Sequence, residues 1–401
     1  MRIIIATTLC LFLLPAFAGM GFADAPKEDI TKEKPLPHYG MADEDFIAQS
    51  DLYEEMPYND KFMEYRIRLP KEWRQIGNKW ERQETNEESD EKKKDSEMDA
   101  LGTGKKRFGV GASGRRVLGK IGKFFAPARM GKPSFIEISA QELTYDISSY
   151  NWFLEYALRS GYTLQSVEKI NEKRVEALYI VFVDDTSYVI RTVAEINGPR
   201  MIMVSYHMPE MFWNKERAIQ EKVIDSFELV SPEDKRIEVL SSYAFLDMFR
   251  FDYPSSWKLL SPNLDSVDSM DATLINVNRD ETLSGEISIH AISTELDTTL
   301  AQEVGYVREQ ITERGFDIDG LLGSIDNYEI NDFLFFSRVE VYEAPPRKGK
   351  LFKDHELWLA VMAEDRYYYI VTLLTPARNK EFPSWARNIA AFETVVETVR
   401  P

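Results

Sequence analysis

The chain has 401 residues, 44% of them hydrophobic and 12% aromatic, which is enough apolar material for packed cores and too much for a chain that stays disordered. That length suits two domains. The formal net charge of −18 excludes general affinity for nucleic acid or anionic lipid, so contact with an anion must come from a local basic patch.

Residues 1–23 read as a removable secretory signal. Arg2 supplies the positive end, Ile3 to Leu14 is an uncharged, mostly apolar run, and Pro15 breaks it. Ala16-Phe17-Ala18 and Gly21-Phe22-Ala23 are both acceptable cleavage sites. The run is well short of the about 20 residues that span a bilayer, so export is expected in preference to a retained anchor. The only cysteine, Cys10, falls inside the signal. The mature product would then have no thiol for a disulfide, a metal or a nucleophile, which suits a periplasm.

Residues 24–58 are polar, with Pro26, Pro35 and Pro37. They predict a loosely ordered leader that adds an edge strand or short helix near Phe46. Residues 59–230 and 231–401 read as two related α+β modules, each an antiparallel sheet packed with helices. Tyr65-Arg66-Ile67-Arg68-Leu69-Pro70 alternates with period two and is followed by Trp73; Phe249-Arg250-Phe251-Asp252-Tyr253-Pro254 does the same before Trp257. Phe135-Ile136-Glu137-Ile138 answers Ile287-Ser288-Ile289. Helical spacing with a glycine stop follows in each half, Trp152 to Ala157 before Gly161 and Val304 to Ile311 before Gly315. Strands over 201–206 and 368–373 then lead to closing helices that carry Phe227 and Phe392. A repeated order of elements is the mark of duplication, and Ser231-Pro232 is the seam.

The first half carries an insertion, residues 82–132, that the second lacks. Arg82 to Asp99 is almost all charged or amide, whereas Ala100 to Phe135 has no acid and nine basic residues. A long segment of this composition is expected to be a flexible basic loop. Within it, Val117, Leu118, Ile121, Phe124 and Phe125 fall on one helical arc, opposite Arg115, Arg116, Lys120 and Lys123. That pattern suits a cationic helix able to lie on a membrane surface or a partner; a plain basic loop, free or docked on the protein's own acidic face, is expected ahead of it.

Other motifs fall short of chemistry. Gly109-Val110-Gly111-Ala112-Ser113-Gly114 matches a dinucleotide fingerprint but follows Lys105-Lys106-Arg107 and no strand. Gly102-Thr103-Gly104-Lys105 lacks the first glycine and the Ser/Thr of a phosphate loop. Asp317, Asp319 and Asp326 around Gly320 put glycine at the first calcium-ligand position, and a solvated turn is expected there. His38, His207, His290 and His355 are isolated, with His207 and His290 expected to be packed or hydrogen-bonded in strands. No catalytic, cofactor-binding or metal-binding residue is predicted.

The repeated strand–Pro–x–x–Trp, sheet, helix, strands and closing helix resemble the PsbP-like α/β/α sandwich over most of residues 59–230 and 235–401. That family includes photosystem II accessory proteins and bacterial periplasmic relatives, so the resemblance implies accessory or binding work. The expected function is a non-enzymatic periplasmic interaction platform with an envelope protein partner. Peripheral contact with an anionic membrane surface would come through the insertion. An enzyme or small-ligand binder with a cleft between the modules is the alternative.

Overall fold

A computed structural model describes residues 33–75, 119–127, 132–183, 185–245, 249–260, 268–278, 282–326, 336–347 and 353–400. In chain order, helix α1 (Asp43–Ala48) precedes β1 (Ser50–Glu55), β2 (Tyr65–Pro70), β3 (Arg74–Gln75), β4 (Lys120–Phe125) and β5 (Phe135–Glu142). Helix α2 (Ser149–Ser160) leads to β6 (Thr163–Asn171), β7 (Arg174–Val183), β8 (Thr186–Asn197), β9 (Arg200–Pro209), α3 (Trp213–Asp225) and β10 (Glu228–Leu229). The second half repeats the series with β11 (Leu240–Phe245), β12 (Phe249–Pro254), β13 (Lys258–Leu259), β14 (Ser269–Val277) and β15 (Leu283–Ser293). Helix α4 (Leu300–Glu313) is then followed by β16 (Leu321–Asp326), β17 (Phe336–Ala344), β18 (His355–Ala363), β19 (Tyr367–Pro376) and α5 (Phe382–Thr398).

Two seven-stranded antiparallel sheets result, in the orders β3-β4-β5-β9-β8-β7-β6 and β13-β14-β15-β19-β18-β17-β16. The orders are the same, and one bulge recurs at the same register, between Leu164 and Ser166 in β6 and between Leu321 and Gly323 in β16, although β6 has a second between Lys169 and Asn171 that β16 lacks. The local reasons for these elements were visible in the chain. Helix α2 starts where the Ser148 side chain accepts from the Asn151 N–H and stops at Gly161, whose φ of 67° suits a residue without Cβ. The Trp73 N–H donates to the Pro70 carbonyl at 3.3 Å, and the Trp257 N–H to the Pro254 carbonyl at 2.9 Å. Both turns deliver a buried indole to the core.

The closing helices do not match residue for residue, as a pairing of Phe227 with Phe392 would require. Arg66 pairs with Glu228, and Arg250 with Arg400. The residue before each is Phe227 or Val399, so Phe392, though buried, lies about two turns earlier, inside the longer α5.

Each sheet buries residues on both faces. Val223 and Ile224 of α3 share a core with Ile136, Ile138, Val193 and Val204 of the first sheet, while Phe153, Leu154 and Ala157 of α2 join Val175, Ala177 and Ile190 on its other face. Gln220 of α3 donates to the Val189 and Tyr206 carbonyls at 3.1 and 3.0 Å. In the second sheet Ile311 of α4 meets Leu357 and Leu359, and Trp385, Ile389 and Phe392 of α5 meet Leu274, Ile287 and Leu373. The α2 cluster and the α5 cluster are one continuous core, and the two helices touch. Where a cleft between the halves was the alternative expectation, the described residues of the seam form packed apolar contact.

The leader is less loose than its composition suggests. Phe46 is buried on α1, and β1 pairs along β2. Upstream, Lys34 bridges to Val167 on the edge of the first sheet, and the Leu36 N–H donates to Glu168. Arg191, 1% exposed, donates to the Pro37 carbonyl at 3.1 Å, and Glu221 accepts from the Tyr39 N–H at 2.7 Å.

Candidate functional site

The amphipathic segment is the first place to look, and the structure divides it. Residues 120–125 form β4, the second strand of the sheet, not a helix, while Arg115, Arg116, Val117 and Leu118 lie outside the described residues. Ile121 and Phe124 are 0% exposed, on the α3 side of the sheet. They cannot enter a membrane or a partner without unfolding the sheet. Gly122 is there for packing, because a Cβ on it would lie 2.8 Å from the Tyr65 hydroxyl. The spacing that fits a helix also fits a strand with the bulge found between Lys120 and Gly122.

Lys123 and Phe125 face the other way, and register places them in two adjacent rows across the first sheet. One row is polar: Lys123 pairs with Glu137, Glu137 with Ser205, and Ser205 with Thr192. The next is mostly aromatic: Phe125, Phe135, His207, Ile190 and Tyr179. Five strands thus contribute to one face of the sheet, on which Lys123, Phe125, Glu137 and His207 are half-buried while Phe135, Ser205, Thr192, Ile190 and Tyr179 are buried.

The polar row is internally connected. The Lys120 ammonium lies 3.0 Å and the Lys123 ammonium 4.0 Å from Glu137 Oε2, giving a cluster with one net positive charge. Thr192 donates to Ser205 at 2.8 Å, and the Tyr179 hydroxyl lies 3.2 Å from Thr192. In the aromatic row Phe135 is stacked between Phe125 (5.5 Å) and the His207 imidazole (4.2 Å, 10° between planes). The Lys123 ammonium sits 5.1 Å from the centres of both phenyl rings, a favourable cation–π arrangement. Burial, then the charges of Lys123 and Lys120, push His207 down to about 3. The imidazole is therefore neutral near pH 7 and acts as a flat stacking group. At the flank, Tyr162 stacks on Tyr179 at 4.9 Å and Trp152 on Tyr156 at 5.5 Å. Burial holds the Tyr179 and Tyr156 phenols well above their usual range, hence neutral.

The second sheet lacks the charged pair and the ring stack. The equivalent pairings give Thr273, Ser288, Thr372 and Leu359 in one row and Ile275, Glu286, Leu374, Leu357 and Tyr342 in the next, so hydroxyls recur but only Tyr342 answers an aromatic residue of the first sheet. Its histidines do something else: His290 bonds Asp271 at 2.6 Å and Glu303 of α4 at 3.2 Å, and His355 bonds the Lys353 carbonyl at 2.6 Å. Among the described residues, no group of three His, Cys, Asp or Glu is placed to hold a metal ion. Asp317 is bound to Arg347 at 2.8 Å, as suits a solvated turn. Sequence reading placed Lys123 and Phe125 but missed Glu137, Ser205, Thr192 and Tyr179. It had His207 only as a strand histidine, and the sole local clue was period-two alternation.

No protein-family model matches the chain, and no curated protein matches it. Among solved structures it is similar to cyanobacterial PsbP (CyanoP) from Synechocystis sp. PCC 6803, at 16% identity over 43% of this chain and 98% of that one, with a TM-score of 0.29. It is also similar to the Tle4-Tli4 complex, at 11% identity over 67% of this chain and 94% of that one, with a TM-score of 0.22. Likenesses this distant say nothing of chemistry.

Proposed function

We propose that the protein is a non-catalytic binding protein of the cell envelope, exported through residues 1–23, whose partner seats on the half-buried Lys123, Phe125 and His207, with the buried Phe135 ring stacked between the last two. The observation that carries this reading is the pairing of a polar row with a prearranged aromatic row on one sheet and not on its topological twin. Stacked rings offer contact area that is already ordered, so a partner meets little entropic cost in using them. Lys120 and Lys123 outnumber Glu137, so the surface suits a partner group that is flat or apolar and carries a carboxylate. The neutral His207 is a poor proton acceptor at neutral pH, which favours recognition over general-base catalysis. The resemblance to PsbP-like modules, carried by the strand–Pro–x–x–Trp repeat, fits accessory work of this kind. Duplication followed by specialisation of the first half accounts for the unequal rows.

The test is site-specific photocrosslinking in the native envelope. A photoreactive phenylalanine analogue replacing Phe125 should give a discrete adduct that is lost in the background Lys123→Glu. The same analogue replacing Leu158, exposed on α2, should give none. No adduct at 125, or one indifferent to Lys123→Glu, would remove the proposed surface.

A further inference from the structure

The two sheets treat one edge differently. In the first sheet the edge strand β6 is covered by the leader: the Lys34 N–H donates to the Val167 carbonyl at 2.9 Å, and the Val167 N–H donates to the Lys34 carbonyl at 3.0 Å. In the second sheet the same edge is β16, and among the described residues it has a neighbour on one side only. All six residues of β16 are exposed, with Leu321 at 54% and Ile325 at 51%. A bare, apolar edge strand is a template for another strand, and proteins ordinarily cover or charge it.

The matching bulges fix the correspondence. Ser166 and Val167 follow the bulge in β6, and Gly323 and Ser324 follow it in β16. Ser324 therefore takes the place of Val167, whose N–H and C=O point outward to the leader. Ile325 takes the place of Glu168, which accepts from the leader's Leu36 N–H. Beside β16, Arg338 holds Asp326 at 3.1 Å and Glu340 at 3.0 Å, and Arg347 holds Asp317 at 2.8 Å, so with Asp319 and Glu343 these residues still carry more acid than base. The edge is thus apolar in its side chains and acidic in its surroundings, on a chain of net charge −18. Like charge disfavours a second copy, while opposite charge favours a basic strand.

From this edge we infer that β16 binds an extended segment of a partner protein, apolar and lysine- or arginine-bearing, as an eighth strand of the second sheet. The segment pairs with the outward N–H and C=O of Ser324, as Lys34 pairs with Val167. Affinity comes from the ladder and selectivity from the apolar contacts to Leu321 and Ile325 and the acidic rim.

The test uses the full chain and labelled peptides of about eight residues, a length that spans such a strand. One alternates lysine with valine, the other glutamate with valine. Fluorescence anisotropy should show the lysine peptide binding about tenfold or more tightly than the glutamate peptide, and hydrogen exchange at the Ser324 amide should slow on binding. Ser324→Pro removes only an outward N–H, which edge strands tolerate, and should abolish peptide binding while exchange at Val339 and Val361 stays slow. Ile325→Lys should weaken the lysine peptide without that backbone change. Absence of binding, unchanged Ser324 exchange, or undiminished binding to Ser324→Pro would overturn the inference. So would sedimentation showing that the protein alone dimerises and that Ser324→Pro separates it, since a second copy would then occupy the edge.

Discussion

Replacing Phe124 and Phe125 one at a time by alanine distinguishes a strand from the surface helix that their spacing suggests. Phe124 is 0% exposed, lies edge-on to Tyr53 at 5.4 Å, and pairs with Ile136, itself 0% exposed. Truncating such a ring costs about 3–5 kcal/mol in transfer and cavity terms. Phe125 is only partly buried, and its main contact is the 5.5 Å stack on Phe135. Losing that pair and part of its burial amounts to roughly 1–2 kcal/mol. With a urea slope of about 3 kcal/mol per M, the midpoint should fall by about 1 M or more for Phe124→Ala. The fall for Phe125→Ala should be about half of that or less. Equal, small shifts would place both rings on one exposed face and refute the strand assignment of residues 120–125.

Three further results are expected. For His207, a native value near 3 lies below the ordinary 6.5, so its contribution to stability is complete above pH 6.5 and is lost as pH falls towards 3. The loss should be about 1 kcal/mol per pH unit once partial exposure is allowed for, and His207→Phe should flatten that limb in urea titrations. For His290 the sign is opposite. Burial lowers it, but hydrogen bonds and charges from Asp271 and Glu303 leave it raised, so its stabilisation is complete below about pH 6.5 and lost as pH rises through the native value. Thermal melts of His290→Gln and the parent should converge at high pH. Finally, Gly122→Ala puts a Cβ against the buried Tyr65 hydroxyl and should cost about 1–3 kcal/mol, partly recovered by adding Tyr65→Phe, as read by calorimetry.

Much of the fold was legible because its signals are local. The alternation of Tyr65–Pro70, the Pro-to-Trp turns and the glycine stop at 161 depend on neighbours a few residues apart, and the structure has them all. Strand β4 was not legible, because Ile121, Phe124 and Phe125 spread apolar groups over both faces and a bulge breaks the parity. The rows of the candidate surface were hidden for another reason. Lys123, Glu137, Ser205 and Thr192 become neighbours only through the register of four strands, one of which, β9, crosses back from the far end of its half. The leader's attachment is equally non-local, since Tyr39 and Glu221 are 182 residues apart.

The contact between α2 and α5 also bears on how the molecule comes apart. Ten of the seventeen residues of α5 are buried, more than a helix covering one sheet from solvent requires. Its outer side is the floor for α2, so each half completes the other's interior. A half released alone would present a greasy helix layer to water and invite association with whatever lay nearest. The pair should therefore melt in a single transition and resist separation by a protease acting at the seam. Gene fragments ending near Ser231 should yield aggregates where intact chains yield soluble protein.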